Sequence, residues 1–262
     1  MLQPRIIPCL LVRNRGLVKT RVFKDEKYVG DPINAVKIFN EKRVDELIIL
    51  DIDATTHGKQ PDLRLIENAA AECRMPLCYG GGIKSASQAA QIFGLGVEKL
   101  ALSSICVERP ETIRAIADQV GRQSVVAVVD VKKKRFFGGY EVWTHNGTRN
   151  TKLEPERLVD ALQAQGIGEI VINSIDRDGT GSGYDLALIE SLYARISVPL
   201  TVMGGAGSLN DVREVIHKFG IIGAAAGSLF VFKGKYRAVL ISYPSPEEKE
   251  LLFRGAATLA EN

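Results

Sequence analysis

Several aspartates follow short apolar runs, where a carboxylate can act as a general acid or base. They are Asp51, Asp53, Asp130, Asp176 and Asp178. Asp130 closes the run 125–129, and apolar surroundings of this kind raise the proton affinity of a carboxylate. The matching run in the first half of the chain carries Leu11, so a site built on two facing carboxylates has lost one of them. Asp178 lies in a turn, where a role in bracing the loop is the simpler explanation.

Two glycine-rich segments could bind phosphate groups. The segment 80–82 precedes a predicted helix start at Ser85, and the segment 204–207 repeats this arrangement. Glycine lets backbone N–H groups approach an anion, and a helix start favours negative charge. A tight turn explains either segment alone equally well, but their duplication favours a ligand with two phosphate groups. The predicted ligand-binding residues are Gly81, Gly82, Ser103, Ser104, Asp178, Gly179, Gly204, Gly205, Gly227 and Ser228.

Eight short apolar runs are the predicted strands, and stretches of helical period, such as 32–42 and 155–165, connect them. The runs are 6–12, 47–53, 77–79, 100–103, 125–130, 170–175, 200–203 and 224–227. Since both faces of these runs are apolar, a closed parallel barrel fits them better than an open sheet. We therefore expect an α/β fold, a single (β/α)8 TIM barrel over residues 1–243. Residues 244–262 are predicted to add a C-terminal helix and tail.

An internal repeat subdivides the predicted barrel. A shift of 124 residues places Gly80 and Gly81 on Gly204 and Gly205, and a shift of 123 places Glu46 on Glu169. The chain is therefore predicted to consist of two fused half-barrels, at about 1–122 and 123–243.

Composition and charge exclude several classes of function. A chain of 262 residues with 45% hydrophobic content is long enough for one domain with a large core, and its net charge of +3 gives no reason to expect a nucleic acid or membrane partner. The four cysteines and three histidines lack metal-site spacing, so we expect reduced thiols, no metal and no cofactor. With no leader and no apolar run near the ~18 residues that span a bilayer, we expect a cytoplasmic protein.

Over nearly its whole length the sequence resembles the cyclase subunit of imidazole glycerol phosphate synthase, HisF, of histidine biosynthesis. The matching segments are 5–10, 30–32, 45–47, 50–52, 80–83, 125–130, 142–147, 174–179 and 204–207. The resemblance implies that a HisH-like glutaminase docks on the N-terminal face of the barrel and that ammonia crosses its interior. At the other face, it implies cyclisation of a bisphosphorylated ribulosyl substrate to imidazole glycerol phosphate and 5-aminoimidazole-4-carboxamide ribonucleotide.

The resemblance also assigns residues to this chemistry. Asp130 matches one of the two catalytic aspartates of the family, whereas the other is replaced by Leu11. Lys19 matches a family lysine that closes over substrate, and we include it among the catalytic candidates. Loss of one acid or base implies cyclisation that is ~10² to 10⁴ slower. Arg5, Glu46, Lys99 and Glu169 match the charged ring that guards the ammonia entrance. Charges at this end of a barrel often only stabilise it, but four matches of balanced sign favour a gate.

The predicted pocket also departs from the family. Cys78, Ser103, Asn173 and Met203 stand where the family has threonine, asparagine, threonine and serine. Asp53 adds a carboxylate where the family has a neutral residue, and we include it among the catalytic candidates.

The segments 9–11, 16–20 and 79–82 resemble a branch of HisF-like paralogues associated with acetamidino modification of sugars in surface polysaccharides such as O-antigen. In that branch a glutaminase and a HisF-like barrel supply ammonia to an ATP-dependent amidotransferase that acts on a nucleotide-linked sugar. Two alternatives stay open. One is a working cyclase that uses Asp130 with Asp53 or Asp51, and the other is a non-catalytic scaffold that binds a phosphorylated ligand to activate the glutaminase. Leu11 argues only against the cyclase.

Overall fold

The computed structural model describes residues 3–135 and 138–254. Within these residues the strands are β1 (Arg5–Arg13), β2 (Gly16–Arg21), β3 (Lys24–Gly30), β4 (Leu47–Asp51), β5 (Leu77–Gly80), β6 (Lys99–Leu102), β7 (Val125–Lys133), β8 (Tyr140–Thr144), β9 (Arg149–Asn150), β10 (Glu169–Ser174), β11 (Leu200–Met203), β12 (Gly223–Ala226), β13 (Phe232–Lys233) and β14 (Ala238–Val239). The α-helices are α1 (Pro32–Glu41), α2 (Leu63–Glu72), α3 (Ala86–Gly94), α4 (Ser104–Glu108), α5 (Glu111–Val120), α6 (Pro155–Ala164), α7 (Leu186–Tyr193), α8 (Leu209–Phe219), α9 (Ser228–Val231) and α10 (Pro246–Phe253). Short 3-10 helices lie at Arg122–Ser124 and Ile175–Arg177.

Eight parallel strands close into a barrel in the order β1, β4, β5, β6, β7, β10, β11, β12, and β12 pairs again with β1. The first residues of β1 pair with β12, and its later residues pair with β4. This stagger is what a barrel of tilted strands requires. Helices connect the successive barrel strands, so the predicted (β/α)8 TIM barrel is confirmed.

Side chains on each barrel strand alternate between two cores. On β1, Ile6 and Leu10 belong to the large core between barrel and helices, whereas Ile7 and Cys9 belong to a small core inside the barrel. This alternation is the two-residue period of a strand. The inner core also contains Ile48, Cys78, Ala101, Val126, Val128, Val171, Met203 and Ala225, with Leu11 and Leu50 packed against it.

Serine side chains begin corresponding helices in the two halves. Ser85 caps α3 by accepting from the Gln88 N–H, and Ser208 caps α8 in a capping box with Asp211. The helix start predicted at Ser85 is confirmed. The two caps lie 123 residues apart, and β5 and β11 end at Gly80 and Met203.

The shift of 124 predicted for the glycine pairs is therefore wrong by one. Gly81 corresponds to Gly204 in the structure, because the second half carries its extra residue between this glycine and β12. The division into half-barrels at 1–122 and 123–243 stays a prediction, which these matching positions support.

Two predicted strand ends differ from the structure by more than one residue. β4 ends at Asp51, since the Asp51 carboxylate accepts from the N–H groups of Asp53 and Ala54, each at 3.0 Å, and turns the chain. β7 continues past Asp130 to Lys133, because its last residues pair antiparallel with β8. The last residues of β1 likewise pair antiparallel with β2, which forms a hairpin with β3.

The chain after the barrel returns to the first strands. Tyr243 donates to the backbone oxygen of Ile6 at 2.8 Å, and Lys249 of α10 pairs with Asp45 at 2.6 Å. The predicted C-terminal helix is thus seen as Pro246–Phe253, whereas residues 255–262 of the predicted tail lie outside the described residues. In the described part of the chain, every helix is too short or too polar to cross a lipid bilayer.

Candidate functional site

A pocket opens at the C-terminal ends of the barrel strands, where TIM-barrel enzymes place their active sites. All of the predicted ligand-binding residues line it, together with the catalytic candidates Asp130 and Lys19 and with Leu11. The ligand-binding residues in its wall are Gly81, Gly82, Ser103, Ser104, Asp178, Gly179, Gly204, Gly205, Gly227 and Ser228. The structure therefore brings together residues that are up to 217 positions apart, from Leu11 to Ser228.

Asp130 is held in the pocket by two neighbouring strand ends. Its Oδ1 accepts from Asn173 Nδ2 at 2.8 Å, and its Oδ2 accepts from Ser103 Oγ at 3.1 Å. Burial raises the pKa of Asp130 to about 6, although both hydrogen bonds favour the ionised carboxylate. A carboxyl group with such a pKa can exchange a proton near neutral pH, which suits a general acid or base.

Leu11 lies across the same pocket from the opposite half of the barrel. It follows Ile7 and Cys9 on the inward side of β1, just as Asp130 follows Val126 and Val128 on the inward side of β7. It pairs in register with Leu50 of β4, and both leucines pack against the inner core. This side of the pocket is therefore apolar at the position that corresponds to Asp130.

The structure does not bring Asp53 into the pocket, so its place among the catalytic candidates is corrected. The carboxylate of Asp53 is buried and forms an ion pair with Arg13 Nε at 2.9 Å, and it lies 3.7 Å from His57 Nδ1. The lining of the pocket contains its neighbours Asp51 and Ile52 instead. The turn after β4 directs Asp53 toward Arg13 at the end of β1, where it stabilises the loop.

Lys19 reaches the pocket from β2. Its side chain is 4% exposed, its ammonium donates to the backbone oxygen of Cys9, and it lies against Gly227, where any Cβ would collide with it. Burial lowers the pKa of Lys19, and the negative charge of Asp178 partly offsets this. Asp178 in turn accepts from Thr20 Oγ1 at 3.1 Å. The placement of Lys19 is that of a cation available to an anionic ligand.

The two glycine-rich segments have the same geometry in each half. Gly81 and Gly204 both have positive φ angles, of 127° and 90°. At each position a Cβ would lie 2.5 Å from a backbone oxygen at the end of the preceding barrel strand, that of Asp51 or Ser174. Only glycine fits such a place, and it keeps the backbone close to the pocket. The close contact of a glycine with the end of the preceding strand is thus shared by the two predicted phosphate sites. We call these sites the first cradle (Gly81, Gly82, Ser103, Ser104) and the second cradle (Gly204, Gly205, Gly227, Ser228).

At the opposite end of the barrel, four charged side chains form a closed ring. Lys99 Nζ donates to Glu46 Oε2 and to Glu169 Oε2, each at 2.8 Å, while Arg5 pairs with Glu46 and, at 2.7 Å, with Glu169. Burial alone would raise the pKa of Glu169, but the charges of Arg5 and Lys99 hold it below its ordinary value. All four residues predicted to form a gate are therefore in mutual contact, with the two carboxylates almost fully buried.

The inner core lies between the charged ring and the pocket. It is apolar, and its smallest side chains are those of Ala101 and Ala225. Burial raises the pKa of Cys9 to about 11 and that of Cys78 well above its ordinary value, so both thiols stay neutral at physiological pH. The members of this core, which lies between the ring and the pocket, include no charged side chain.

Sequence reasoning missed two residues of this arrangement. Thr201 completes the ring, since its Oγ1 donates to Glu169 Oε1 at 2.6 Å and lies 3.3 Å from an Arg5 nitrogen. Its position at the start of a strand, like that of the ring residues, was the only signal for it. Arg237 reaches the pocket rim from the loop between β13 and β14, which no motif marked. Across residues 3–135 and 138–254 no group of three His, Cys, Asp or Glu side chains is placed to hold a metal ion.

The sequence of this chain is similar to those of several known proteins. The family model described as "Histidine biosynthesis protein" matches residues 5–237. A protein of Leptospira interrogans named "Putative imidazole glycerol phosphate synthase subunit HisF" is 54% identical over 97% of this chain and 100% of its own length. Proteins named "Putative imidazole glycerol phosphate synthase subunit hisF3" of Vibrio vulnificus and "hisF2" of Pseudomonas aeruginosa are 55% and 52% identical over 95% and 93% of this chain, and over 96% and 97% of their own lengths. The chain belongs to the histidine biosynthesis protein family, and it is a HisF-like member of that family.

Proposed function

We propose that this chain is the barrel subunit of a glutamine amidotransferase complex in the cytoplasm. A HisH-like glutaminase docks on the ring face and releases ammonia, which passes through the inner core to the pocket. The ammonia serves to form an acetamidino group on a sugar destined for a surface polysaccharide, with an ATP-dependent amidotransferase as the further partner. The pocket binds a phosphorylated ligand and does not cyclise an imidazole ring.

One observation supports this proposal most strongly. The chain has all four residues of the charged ring, but its pocket has Leu11 where the family resemblance implies an aspartate. Leu11 can neither give nor take a proton, so the pocket offers Asp130 without the facing carboxylate that the family resemblance implies. Asp53, the catalytic candidate offered in its place, is bound to Arg13 outside the pocket. Asp51 lines the pocket, but its Oδ1 is occupied by two backbone N–H groups of the following turn.

The apolar inner core supports a role in ammonia transfer. Neutral ammonia crosses such a region at low cost, whereas ammonium does not, because a charge without a partner is strongly disfavoured there. Ammonia that stays unprotonated also stays nucleophilic. The ring carries two positive and two negative side chains that satisfy each other, so the ion pair of Lys99 must open for a molecule to pass.

The acetamidino role is supported by the segments 9–11, 16–20 and 79–82, which resemble the paralogue branch linked to that chemistry. In the structure the first two segments contribute Leu11 and Lys19, and the third contributes Gly81, all of which line the pocket. The three segments that resemble this branch thus all contribute to the wall of the pocket, and Leu11 is the residue among them that sets the chain apart from the cyclase.

The proposal is tested by following the nitrogen of glutamine. The purified chain is combined with the HisH-like glutaminase and the sugar amidotransferase of the same organism, with glutamine labelled by ¹⁵N at the amide and excess unlabelled ammonium in solution. We expect the acetamidino product to retain most of the label, because channelled ammonia does not mix with the solvent. A product with the isotopic composition of the bulk ammonium would contradict transfer through the barrel. Formation of an imidazole product by the same chain would favour the cyclase instead.

A further inference from the structure

Two hairpins stand beside the second cradle and contact each other. The β2–β3 hairpin contributes Lys27, and the β13–β14 hairpin contributes Phe232 and Arg237. The charged groups of Lys27 and Arg237 both lie over the Phe232 ring, at 5.0 and 4.7 Å from its centre. Lys27 Nζ also donates to the backbone oxygen of Arg237 at 3.0 Å. These contacts hold both the backbone and the guanidinium of Arg237 beside the second cradle.

The guanidinium of Arg237 ends at the pocket wall. One of its nitrogens donates to the backbone oxygen of Gly179 at 3.3 Å, and another lies 3.4 Å from Ser228 Oγ. Gly179 and Ser228 both line the pocket. Both acceptors are uncharged and both hydrogen bonds are long, so the guanidinium can bind an anion more strongly than it binds its present partners.

A second cation approaches the same cradle from inside. Lys19 lies against Gly227, the residue before Ser228, and is the one cation among the described residues that line the pocket. The first cradle has polar side chains in Ser103 and Ser104, but its lining carries no cation. Positive charge is therefore concentrated at one of two otherwise similar cradles, with Asp178 as the nearby carboxylate.

We propose that Arg237 is an anion-binding residue of the second cradle, where it and Lys19 hold the most negatively charged phosphate group of the ligand between them. This inference rests on the proposed function only in requiring that the pocket takes a phosphorylated ligand. Arg237 presents a planar fork of N–H donors, which suits two phosphate oxygens at once. The expected ligand chemistry is a phosphate monoester or a diphosphate bound by its terminal group.

The test is phosphate binding by the purified full chain without any partner, measured by calorimetry at constant ionic strength. The probes are inorganic phosphate, glycerol 3-phosphate and uridine diphosphate, and the two organic probes distinguish a monoester from a diphosphate. We expect Arg237→Gln to lower the affinity of the chain for its preferred probe by about 10-fold or more. Arg237→Lys should restore part of that loss. The matched control is Lys235→Gln, which removes one positive charge from the same loop, where Lys235 lies over the exposed Tyr236.

Three outcomes separate the possibilities. If Arg237→Gln and Lys235→Gln both bind like the wild type, the role of Arg237 is wrong while the proposed function stands. If the wild type binds no probe, the phosphorylated ligand and this inference both fail, although ammonia transfer can still be tested with labelled glutamine. If Arg237→Gln does not fold, phenylglyoxal modification of the wild type replaces it. Phosphate should then slow modification of Arg237, and an unchanged rate would overturn the proposal.

Discussion

Asn173 Nδ2 donates to Asp130 Oδ1 across neighbouring barrel strands at 2.8 Å. Because an amide N–H can only donate, this contact favours the ionised carboxylate and opposes the effect of burial. Ser103 does the same at the second oxygen, at 3.1 Å. Both residues differ from those that the family resemblance leads one to expect, as does Leu11 across the pocket.

The pKa of Asp130 provides the first prediction. We expect the carboxyl ¹³C signal of Asp130 to titrate with a pKa of about 6, since burial raises it. Asn173→Leu should raise that pKa further, because it removes a hydrogen bond to the ionised form. A wild-type value near the ordinary ~3.9 of an aspartate would contradict the account.

The same shift predicts how stability depends on pH. A carboxyl whose pKa is higher in the folded state favours folding at pH below its unfolded value of ~3.9, and this contribution is lost as the pH rises through about 6. The free energy of unfolding of the wild type should therefore fall relative to Asp130→Asn by on the order of 2 kcal/mol between pH 4 and 7. Urea denaturation of both proteins across this range measures the difference. A constant difference would show that Asp130 is not held in an environment that disfavours its charge.

The ring provides a prediction about stability. Lys99→Met leaves the buried carboxylates of Glu46 and Glu169 to share the single positive charge of Arg5, and we expect it to lower the free energy of unfolding by ~3 to 5 kcal/mol. The matched control is Arg195→Met, since the pair of Arg195 with Asp160 has an ordinary 3.0 Å contact but is about half exposed. That change should cost ~0 to 1 kcal/mol. Equal losses in urea denaturation would mean that the ring contributes no more than a surface ion pair.

The ring also provides a prediction about transfer. Glu46→Gln removes one charge but keeps the size of the side chain, so the ring closes less firmly on Lys99 and ammonia released at this face can escape to the solvent. We expect this variant to lower the glutamine-dependent activity of the assembled complex and to leave its activity with added ammonium unchanged. Reversing the charge at Glu46 or Lys99 should have the same effect more strongly. An equal loss of activity with glutamine and with ammonium would contradict the role of the ring as a gate.

The effect of Leu11 on cyclisation can be tested by placing an acidic residue at this position. Leu11→Asp places a carboxylate across the pocket from Asp130, and we expect it to raise imidazole formation from ammonium and the bisphosphorylated ribulosyl substrate. An acid or base is worth ~10² to 10⁴ in rate, so even partial recovery is measurable. The matched control is Leu50→Asp, which adds the same group one strand away at the paired position. A similar gain in both variants would show that any added carboxylate suffices.

The fold was predictable because its signals are local and repeated. Apolar runs of strand length alternating with helical stretches, and caps such as Ser85, follow from the chemistry of neighbouring residues. The ends of β4 and β7 were not predictable in this way. They depend on the Asp51 carboxylate accepting hydrogen bonds from its own loop and on the pairing of β7 with β8, whose partner residues lie seven to thirteen positions further along.

The site was predictable where position on a strand decides the direction of a side chain. Lys19 and Asp130 reach the pocket for that reason, whereas the glycine-rich segments reach it because they directly follow the ends of β5 and β11. Asp53 did not, because it lies past the strand end, where the turn and the charge of Arg13 determine its direction. Arg237 lies in a loop with no motif, and only the contact between two distant hairpins reveals it.

The central claim is that this barrel retains its ammonia route but has lost the pair of groups needed to close an imidazole ring. The most direct measurement supplies the purified wild-type chain with ammonium and the bisphosphorylated ribulosyl substrate, beside an active HisF as positive control, and quantifies imidazole glycerol phosphate. We predict product at least ~10²-fold below that of the control, the low end of what a missing acid or base costs. Turnover comparable to the control would contradict the account.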